Sequence, residues 1–391
     1  MSDHLDIALL MLSATSAKIH GKFDIEKLYD TLPALTGTGN TLFGMAWGLS
    51  ELGHKVTVYC DTAKEVLGAP RLAGADVLPF EKIHSKEQQK HQVYISINEP
   101  DLLRIVPKSA LRICHYLLND WTGTQDGHGE FVDLWVLCSK TQQHRLRELT
   151  TPKRGLGDTH TVVVHLSHNP EFTWRETSYP RRPGSIIYCS SPDRGLHHLL
   201  DFFPEIKEKV PEANLKIFYR YEPWRDAVIK LKAPAMRPHR ERAEAIERSL
   251  EKLGRNGENG VTMVGAISNR QMGIEMTVAQ VMAYPCDPVL FTEGFSCSTV
   301  ESLAAGCHVV ISDADALPEI YGGVANIIPG KPSEHRERWI DTIVHILKGG
   351  DLNLLDVLEE GQFFALEHTR KSIASLWETL SIATLASSGK I

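Results

Sequence analysis

Phe291-Thr-Glu-Gly-Phe-Ser-Cys-Ser-Thr-Val-Glu301 runs on into Ser302-Leu-Ala-Ala-Gly306, and the strand-like run Val281-Met-Ala-Tyr284 precedes it. Val300, Leu303 and Ala304 recur at helical spacing and Gly306 ends the turn, so the stretch reads as strand, loop and helix, with the helix starting at Ser298. Glu301 then falls in the first helical turn and Glu293 in the loop that feeds it. Free backbone N–H groups and the helix dipole at such a start suit a phosphate or diphosphate. Carboxylates beside a phosphate would repel it, so they are better read as acceptors for neutral hydroxyls. A diphosphate flanked by hydroxyl-rich sugars meets both requirements. The same residues also fit a capping box, with Glu301 reaching back to the Ser298 N–H, and Glu293 also fits a solvated loop position. Taken alone, the stretch leaves both readings open.

Outward from it, short apolar runs alternate with helical stretches, the pattern of parallel sheets covered by helices. Strands are expected at 7–12, 55–59, 93–97, 112–116, 134–139 and 161–164, and again at 185–189, 215–219, 261–265, 281–284, 309–312 and 325–328. The polar, proline-rich stretch 171–184 reads as a linker, and the chain after 330 reads as helical. The expectation is an α/β protein of two doubly wound Rossmann-like domains facing a central cleft. Residues 1–170 are expected to form the first domain and 185–365 the second, with a further helix over 366–391. A chain of 391 residues, 42% hydrophobic and 23% charged, is long enough for two such cores. A net charge of −7 speaks against nucleic acid as a partner. No apolar run approaches the roughly 20 residues of a membrane span, and the acidic start is unlike a signal peptide. The seven cysteines are scattered and form no C-x-x-C, so neither disulfides nor a zinc site are expected, and a cytoplasmic location is.

Ser190-Ser-Pro-Asp-Arg-Gly-Leu196 follows the first strand of the second half. Ser191 caps a helix in this reading, Pro192 takes its first position, and Leu196, Leu199, Leu200 and Phe203 form its buried stripe. Arg194 would then lie in the first turn. A cation there opposes the dipole, which fits an anion ligand; a surface arginine paired with Asp193 or Glu205 is the plainer alternative.

Together these residues resemble the retaining, GT-B-fold glycosyltransferases of family four. The resemblance runs through Gly37-Thr-Gly-Asn-Thr-Leu-Phe-Gly44 and Gly53-His-Lys-Val-Thr-Val58, then Ser191-Pro-Asp-Arg-Gly-Leu-His-His-Leu-Leu200 with Pro211-Glu-Ala-Asn-Leu-Lys-Ile217. It ends with the paired glutamates and with Ala304-Ala-Gly-Cys-His-Val-Val-Ile-Ser-Asp313 followed by Ala316-Leu-Pro-Glu-Ile320. The resemblance implies that Glu301 holds the ribose hydroxyls and that Glu293 contacts the transferred sugar, beside the N–H groups of Gly294 and Phe295. Ser298 and Thr299 would bind the distal phosphate, and Arg194, where the family usually has lysine, would neutralise the leaving diphosphate. The resemblance also makes 1–170 the acceptor-side domain, 185–365 the nucleotide-sugar-binding domain and 366–391 a helix packing back on the first. Gly39 and Asn40 would lie across the cleft near the phosphate and acceptor. His115 resembles a family histidine near the donor sugar; a histidine at a strand end also fits a plain core position.

The implied donor substrate is a nucleoside-diphosphate sugar, with no cofactor and no metal. The acceptor would be a glycan, a lipid or a small molecule bearing a hydroxyl. Asp313-Ala-Asp315 looks like a metal-binding D-x-D but lies inside the family's tail motif, so no metal is assigned to it. Two departures stand out: Cys189 occupies a position where the family often has arginine, and 14–36 lengthens the connection before the glycine stretch, as a lid or acceptor element would. The basic stretch 140–154 could make peripheral membrane contact, whereas 225–248 mixes bases with acids and reads as a solvated helix face. A nicotinamide dehydrogenase using Gly37, Gly39 and Asp61 lacks its third glycine, since residue 42 is Leu. A serine-hydrolase elbow at Gly294-Phe-Ser-Cys-Ser298 lacks its closing glycine. A non-catalytic sugar-nucleotide-binding or scaffolding protein is the remaining alternative.

Overall fold

The computed structural model describes residues 4–12, 37–60, 71–72, 74–85, 90–121, 130–151, 155–173, 180–350 and 352–390. The insertion 14–36, Asp61, Lys153, Arg154 and positions 174–179 of the expected linker lie outside the described residues. The chain divides into two units, Met1–Asn169 with Glu367–Ile391, and Pro170–Leu366.

The first unit is built on β1 (Asp6–Met11), β2 (Lys55–Cys60), β3 (Arg71–Leu72), β4 (Ala75–Pro79), β5 (Val93–Ile97), β6 (Leu111–Tyr116), β7 (Leu134–Leu137) and β8 (His160–Val163). Their order is β3-β4-β2-β1-β5-β6-β7-β8, parallel except where β3 meets β4. The register sets Ile7 beside Val56 on one side and Val93 on the other. Its central strands are apolar on both faces because both are covered. Ala8, Leu10, Tyr94, Tyr116 and Trp135 share one core. On the other face lies α1 (Gly37–Glu51), and the last helix of the chain, Arg370–Ser388, returns to pack on it. Gly48 permits that contact, since a Cβ there would press on the Arg370 carbonyl and on Ala374. Arg370 adds an ion pair to Glu51 at 2.7 Å and stacks over Trp47, 3.8 Å from the ring centre.

The second unit is the sheet of β9 (Ser185–Tyr188), β10 (Asn214–Ile217), β11 (Val261–Met263), β12 (Val281–Tyr284), β13 (His308–Ser312) and β14 (Asn326–Ile328). Its order is β11-β10-β9-β12-β13-β14, with every pairing parallel. The order reverses between β9 and β12, so the connections after these two strands diverge to opposite sides and leave an opening at their carboxyl ends. Its helices include α2 to α4 on the β9 side, α5 and α6 around β12 and β13, α7 between β13 and β14, and α8 after the sheet. In residue terms α2 is Leu196–Lys209, α3 Tyr221–Lys230, α4 Arg237–Leu253, α5 Asn269–Val278, α6 Cys297–Ala304, α7 Leu317–Tyr321 and α8 Arg336–Leu347.

Every strand expected from the apolar runs is present, with ends moved by a residue or two. The expected strand at 134–139 stops at Leu137 because the Ser139 side chain accepts the Gln142 N–H and starts the helix Lys140–Glu148. The edge strand β3 and its neighbour β4 were not expected, because Ala-Asp-Val-Leu-Pro carries too little apolar signal. No helix among the described residues is long and apolar enough to cross a membrane.

Candidate active site

The site follows from what the chain must do after β9 and β12. Beyond β9, Pro192–Arg194 form one 3-10 turn, and Gly195, at φ 118°, redirects the backbone into α2. Only glycine fits: its φ is left-handed and any Cβ would fall on the Pro285 carbonyl. Arg194 therefore ends a turn before the helix and does not sit in its first turn, which corrects the sequence expectation. Leu196, Leu199, Leu200 and Phe203 are buried as the stripe required. The Asp287 N–H donates to the Arg194 carbonyl at 3.3 Å, stitching this turn to the loop after β12.

That loop carries Glu293 into the opening. Its carboxylate is 3% exposed, so it is not a solvated loop residue. It accepts from Arg194 Nη1 and from the Tyr284 hydroxyl, the latter at 2.9 Å. Tyr284 is the last residue of β12, so strand and loop converge on one carboxylate oxygen. Burial pushes the Glu293 carboxyl up, while the Arg194 charge and the Tyr284 hydrogen bond pull it back. Burial alone would lower the Arg194 guanidinium, but the Glu293 charge overrides this and raises it, so Arg194 stays charged. Neither Asp193 nor Glu205 takes Arg194: Asp193 pairs with His239 at 3.0 Å and Glu205 with Arg336 at 2.6 Å.

Gly294 and Phe295 continue the loop as buried residues, the Phe295 ring 5.8 Å from that of Tyr321. The helix that follows begins at Cys297 with Ser296 as its cap, two positions before the expected cap at Ser298. The Tyr321 hydroxyl donates to the Ser296 carbonyl at 2.7 Å, a tertiary contact that sets where the helix starts. The capping-box alternative is thereby excluded, because Ser298 lies inside the helix. Ser298 and Thr299 remain in its first turn, and Glu301 moves on to the second. Thr299 is fully buried, its hydroxyl donates to Ser296 Oγ at 2.9 Å and its N–H to the Ser296 carbonyl at 3.1 Å, so both of its donors are spent on the cap. Glu301 is half-buried, and burial raises its carboxyl to about 7.

Asp313 and Asp315 do not converge. Asp313 accepts from the Gly330 N–H at 2.9 Å, and Asp315 from the Thr292 and Glu293 N–H groups. Among the described residues, His197, His198 and Asp287 bring three donor atoms within 4.8 Å of one another. Asp287 there is already held by His198 at 2.9 Å and by the Arg242 guanidinium at 3.4 Å, a cation where a metal would compete.

Three participants escaped the sequence reading. Tyr284 was hidden as a strand residue, although a tyrosine ending a strand ahead of such a loop is a usable signal. Arg242 lies in α4, where Arg237 on Glu241 and Arg248 near Glu244 do behave as a solvated face. Arg242 instead donates to the carbonyls of Asp193 and Asp287, tying together the turn and the loop that carry Arg194 and Glu293. No local pattern distinguishes it. Asp315 was noticed only as a metal lookalike.

The remaining candidates belong to the first unit. Gly39 and Asn40 lie in helix α1, so this glycine stretch is helical. Asn40 is buried and its Oδ1 accepts from Asn169 Nδ2 at 3.1 Å. His115 is buried on β6, its Nδ1 3.1 Å from the Val136 carbonyl and its ring edge-on to Trp377 at 5.0 Å. It lines a small cavity with Thr41, Met45, His165, Arg370 and Trp377. Burial lowers its pKa to about 4, so it is neutral at ordinary pH.

A doubly wound parallel sheet with polar groups converging at its switch point is a fold whose ligands sit at the carboxyl ends of the strands. Residues 184–348 match the family model described as glycosyl transferases group 1. The whole chain is similar to sucrose-phosphate synthase from Thermosynechococcus elongatus, with TM-score 0.66 and 12% identity over 98% of this chain and 100% of that one. A glycosyltransferase involved in avilamycin A biosynthesis matches with TM-score 0.65 and 15% identity over 98% of each chain. The Anabaena protein HepE, solved with UDP and glucose, matches with TM-score 0.63 and 16% identity over 97% of this chain and 100% of that one. The fold is of the GT-B glycosyltransferase type. A search of the curated proteins found no match.

Proposed function

We propose that this protein is a glycosyltransferase that moves a sugar from a nucleoside-diphosphate sugar to a hydroxyl acceptor, keeping the anomeric configuration and using no metal. The observation that carries the reading is the Arg194–Glu293 pair, buried at the β9/β12 switch point ahead of a helix start. A buried ion pair is a poor source of stability compared with apolar packing, so its presence in a ligand opening favours a binding role. Nucleotide-sugar chemistry suits it: the diphosphate takes Arg194, and the sugar hydroxyls replace Arg194 as donors to Glu293. The family match over the second unit and the UDP and glucose bound by the Anabaena relative support the same donor class.

In this reading Glu301 accepts from the ribose hydroxyls. Gly294 and Phe295 present N–H groups beside the sugar. Ser298, partly exposed in the first helical turn, meets the distal phosphate, and Thr299 behind it holds the Ser296 cap. Arg194 stabilises the charge that develops on the leaving diphosphate, the main electrostatic need of the reaction. Arg242 holds a second guanidinium behind the same turn, in a site where Cys189 supplies none. The bond from the anomeric carbon to the diphosphate oxygen breaks, the acceptor oxygen bonds to the same face of that carbon, and the departing phosphate oxygen takes the acceptor's proton. His115 is given no acid–base step: burial keeps its imidazole neutral at ordinary pH, and its Nδ1 is engaged with the Val136 carbonyl. Metal independence is supported by the engagement of Asp313 and Asp315 with separate backbone amides.

The test is a thermal-shift series with UDP, GDP, ADP and their common sugar conjugates, followed by turnover of the stabilising donor with and without EDTA. Selective stabilisation and chelator-resistant turnover, even as slow donor hydrolysis, are the expected results. Binding without any turnover would favour the sugar-nucleotide-binding scaffold instead.

A further inference from the structure

We infer that Asp315 is a positioning residue for Glu293, so that sugar recognition by Glu293 depends on a carboxylate carried by a different loop. Asp315 Oδ2 accepts the Thr292 N–H at 2.8 Å and the Glu293 N–H at 2.9 Å. One residue further on, the Ala316 N–H donates to the Glu293 carbonyl at 3.1 Å. The Glu293 residue is thus gripped at its amide and at its carbonyl by the connection between β13 and α7. Its side chain is gripped separately, by Arg194 and Tyr284.

The backbone of Asp315 shows what this arrangement requires. Its φ is 53°, and among the described residues of the second unit it is the only non-glycine in the left-handed region. Glycine takes that conformation without strain, whereas aspartate takes it at a cost. Glycine has no acceptor to offer the loop opposite. The Asp315 charge also works against ionisation of the buried Glu293. A residue unfavourable in its conformation and in its charge is explained by the two hydrogen bonds it makes, which are of the stronger, charge-assisted kind.

This inference rests on the sugar-transfer reading only for its functional consequence, and the experiment separates the two. Asp315→Gly relaxes the backbone and deletes the acceptor, whereas Asp315→Asn keeps an acceptor oxygen and tolerates the same φ while removing the charge. Hydrogen exchange at the Thr292 and Glu293 amides reads the brace directly. Calorimetry with UDP, UDP-glucose, GDP and GDP-mannose reads its consequence. In the wild-type protein one nucleotide sugar should bind more tightly than its own nucleoside diphosphate. Asp315→Gly should speed exchange at both amides about tenfold or more and erase that preference, leaving nucleoside-diphosphate affinity within about twofold. Asp315→Asn should restore protection and preference together. Unchanged exchange and preference in a folded Asp315→Gly protein would overturn the inference, as would their loss in a folded Asp315→Asn protein. Should the wild type bind none of the nucleotides and nucleotide sugars of the thermal-shift series while Asp315→Gly still exposes both amides, the brace stands and sugar recognition by Glu293 falls.

Discussion

The two sheets reverse their strand order in the same way, between β1 and β5 in the first unit and between β9 and β12 in the second, yet the two openings hold different chemistry. In the first unit Asn98, at φ 61°, follows β5 and accepts the Leu117 N–H at 2.6 Å. Its neighbour Glu99 accepts the Leu12 N–H at 2.5 Å. Both side chains tie strand ends to one another. In the second unit Asp315 makes a similar left-handed stitch, but the loop it holds presents Glu293 to Arg194 and Tyr284. Topology supplies an opening at the carboxyl edge of each sheet. The connecting loops decide whether that opening is laced shut by backbone contacts or furnished with paired charges.

This contrast is sharpest where a charge is removed. Arg194→Ala should strand the Glu293 carboxylate in a buried site and cost about 3 kcal/mol, the low end for a broken buried pair because a third of Arg194 remains exposed. Transfer should fall by about a hundredfold or more, as for loss of one charge-stabilising donor. Denaturant titration and donor turnover check the two parts. If stability and turnover both stay at wild-type levels, the pair is an ordinary surface contact and the difference between the two openings disappears.

Glu301 gives the next largest effect, and it depends on pH. Its carboxyl titrates at about 7 in the folded protein against an ordinary 4.5. The folded state then binds more protons than the unfolded one between these values, so this residue's contribution to stability declines as pH rises from 4.5 to 7. Nucleotide affinity should move the other way, because ribose hydroxyls donate to the ionised form. Affinity should rise by up to about tenfold from pH 6 to pH 8. Glu301→Gln should flatten that profile, and calorimetry at several pH values is the check. A profile unchanged by the substitution would remove Glu301 from the ribose.

His115 has the opposite linkage sign. Its pKa falls from 6.5 to about 4, so the unfolded state binds the extra proton in that window. The stability it contributes is fully present above pH 6.5 and is lost as pH falls toward 4. His115→Gln should flatten this acid limb in urea titrations, while the pH profile of turnover near neutrality keeps its shape. Glu99→Gln should have the smallest effect, under about 1 kcal/mol, because an amide oxygen still accepts the Leu12 N–H. A loss as large as that of Arg194→Ala would mean that the first opening also depends on a buried charge.

Much of the fold was legible because apolar runs and turn residues are local signals. The run at 281–284 became β12 unchanged, and the Leu196, Leu199, Leu200 and Phe203 stripe became the buried face of α2. Helix starts were less legible. Ser298 had the better local pattern, but the Tyr321 hydroxyl holds Ser296 as the cap. Arg194 lies outside its expected helix because Gly195 turns the chain against the Pro285 carbonyl, a contact with no trace in nearby sequence.

The sequence by itself determined the alternation of strands and helices, the placing of glycine at a tight turn, and the gathering of acidic, basic and hydroxyl residues into a few loops. These follow from periodicity, backbone propensity and spacing along the chain. Tertiary structure alone decided which of those residues meet. Arg194 and Glu293 are separated by 99 positions, Arg242 and Asp193 by 49, and Asp315 and Glu293 by 22. Such partners are chosen by parallel strand order, which brings the ends of β9, β12 and β13 side by side. Burial then makes each choice matter, since a charge taken out of water must find its counterpart.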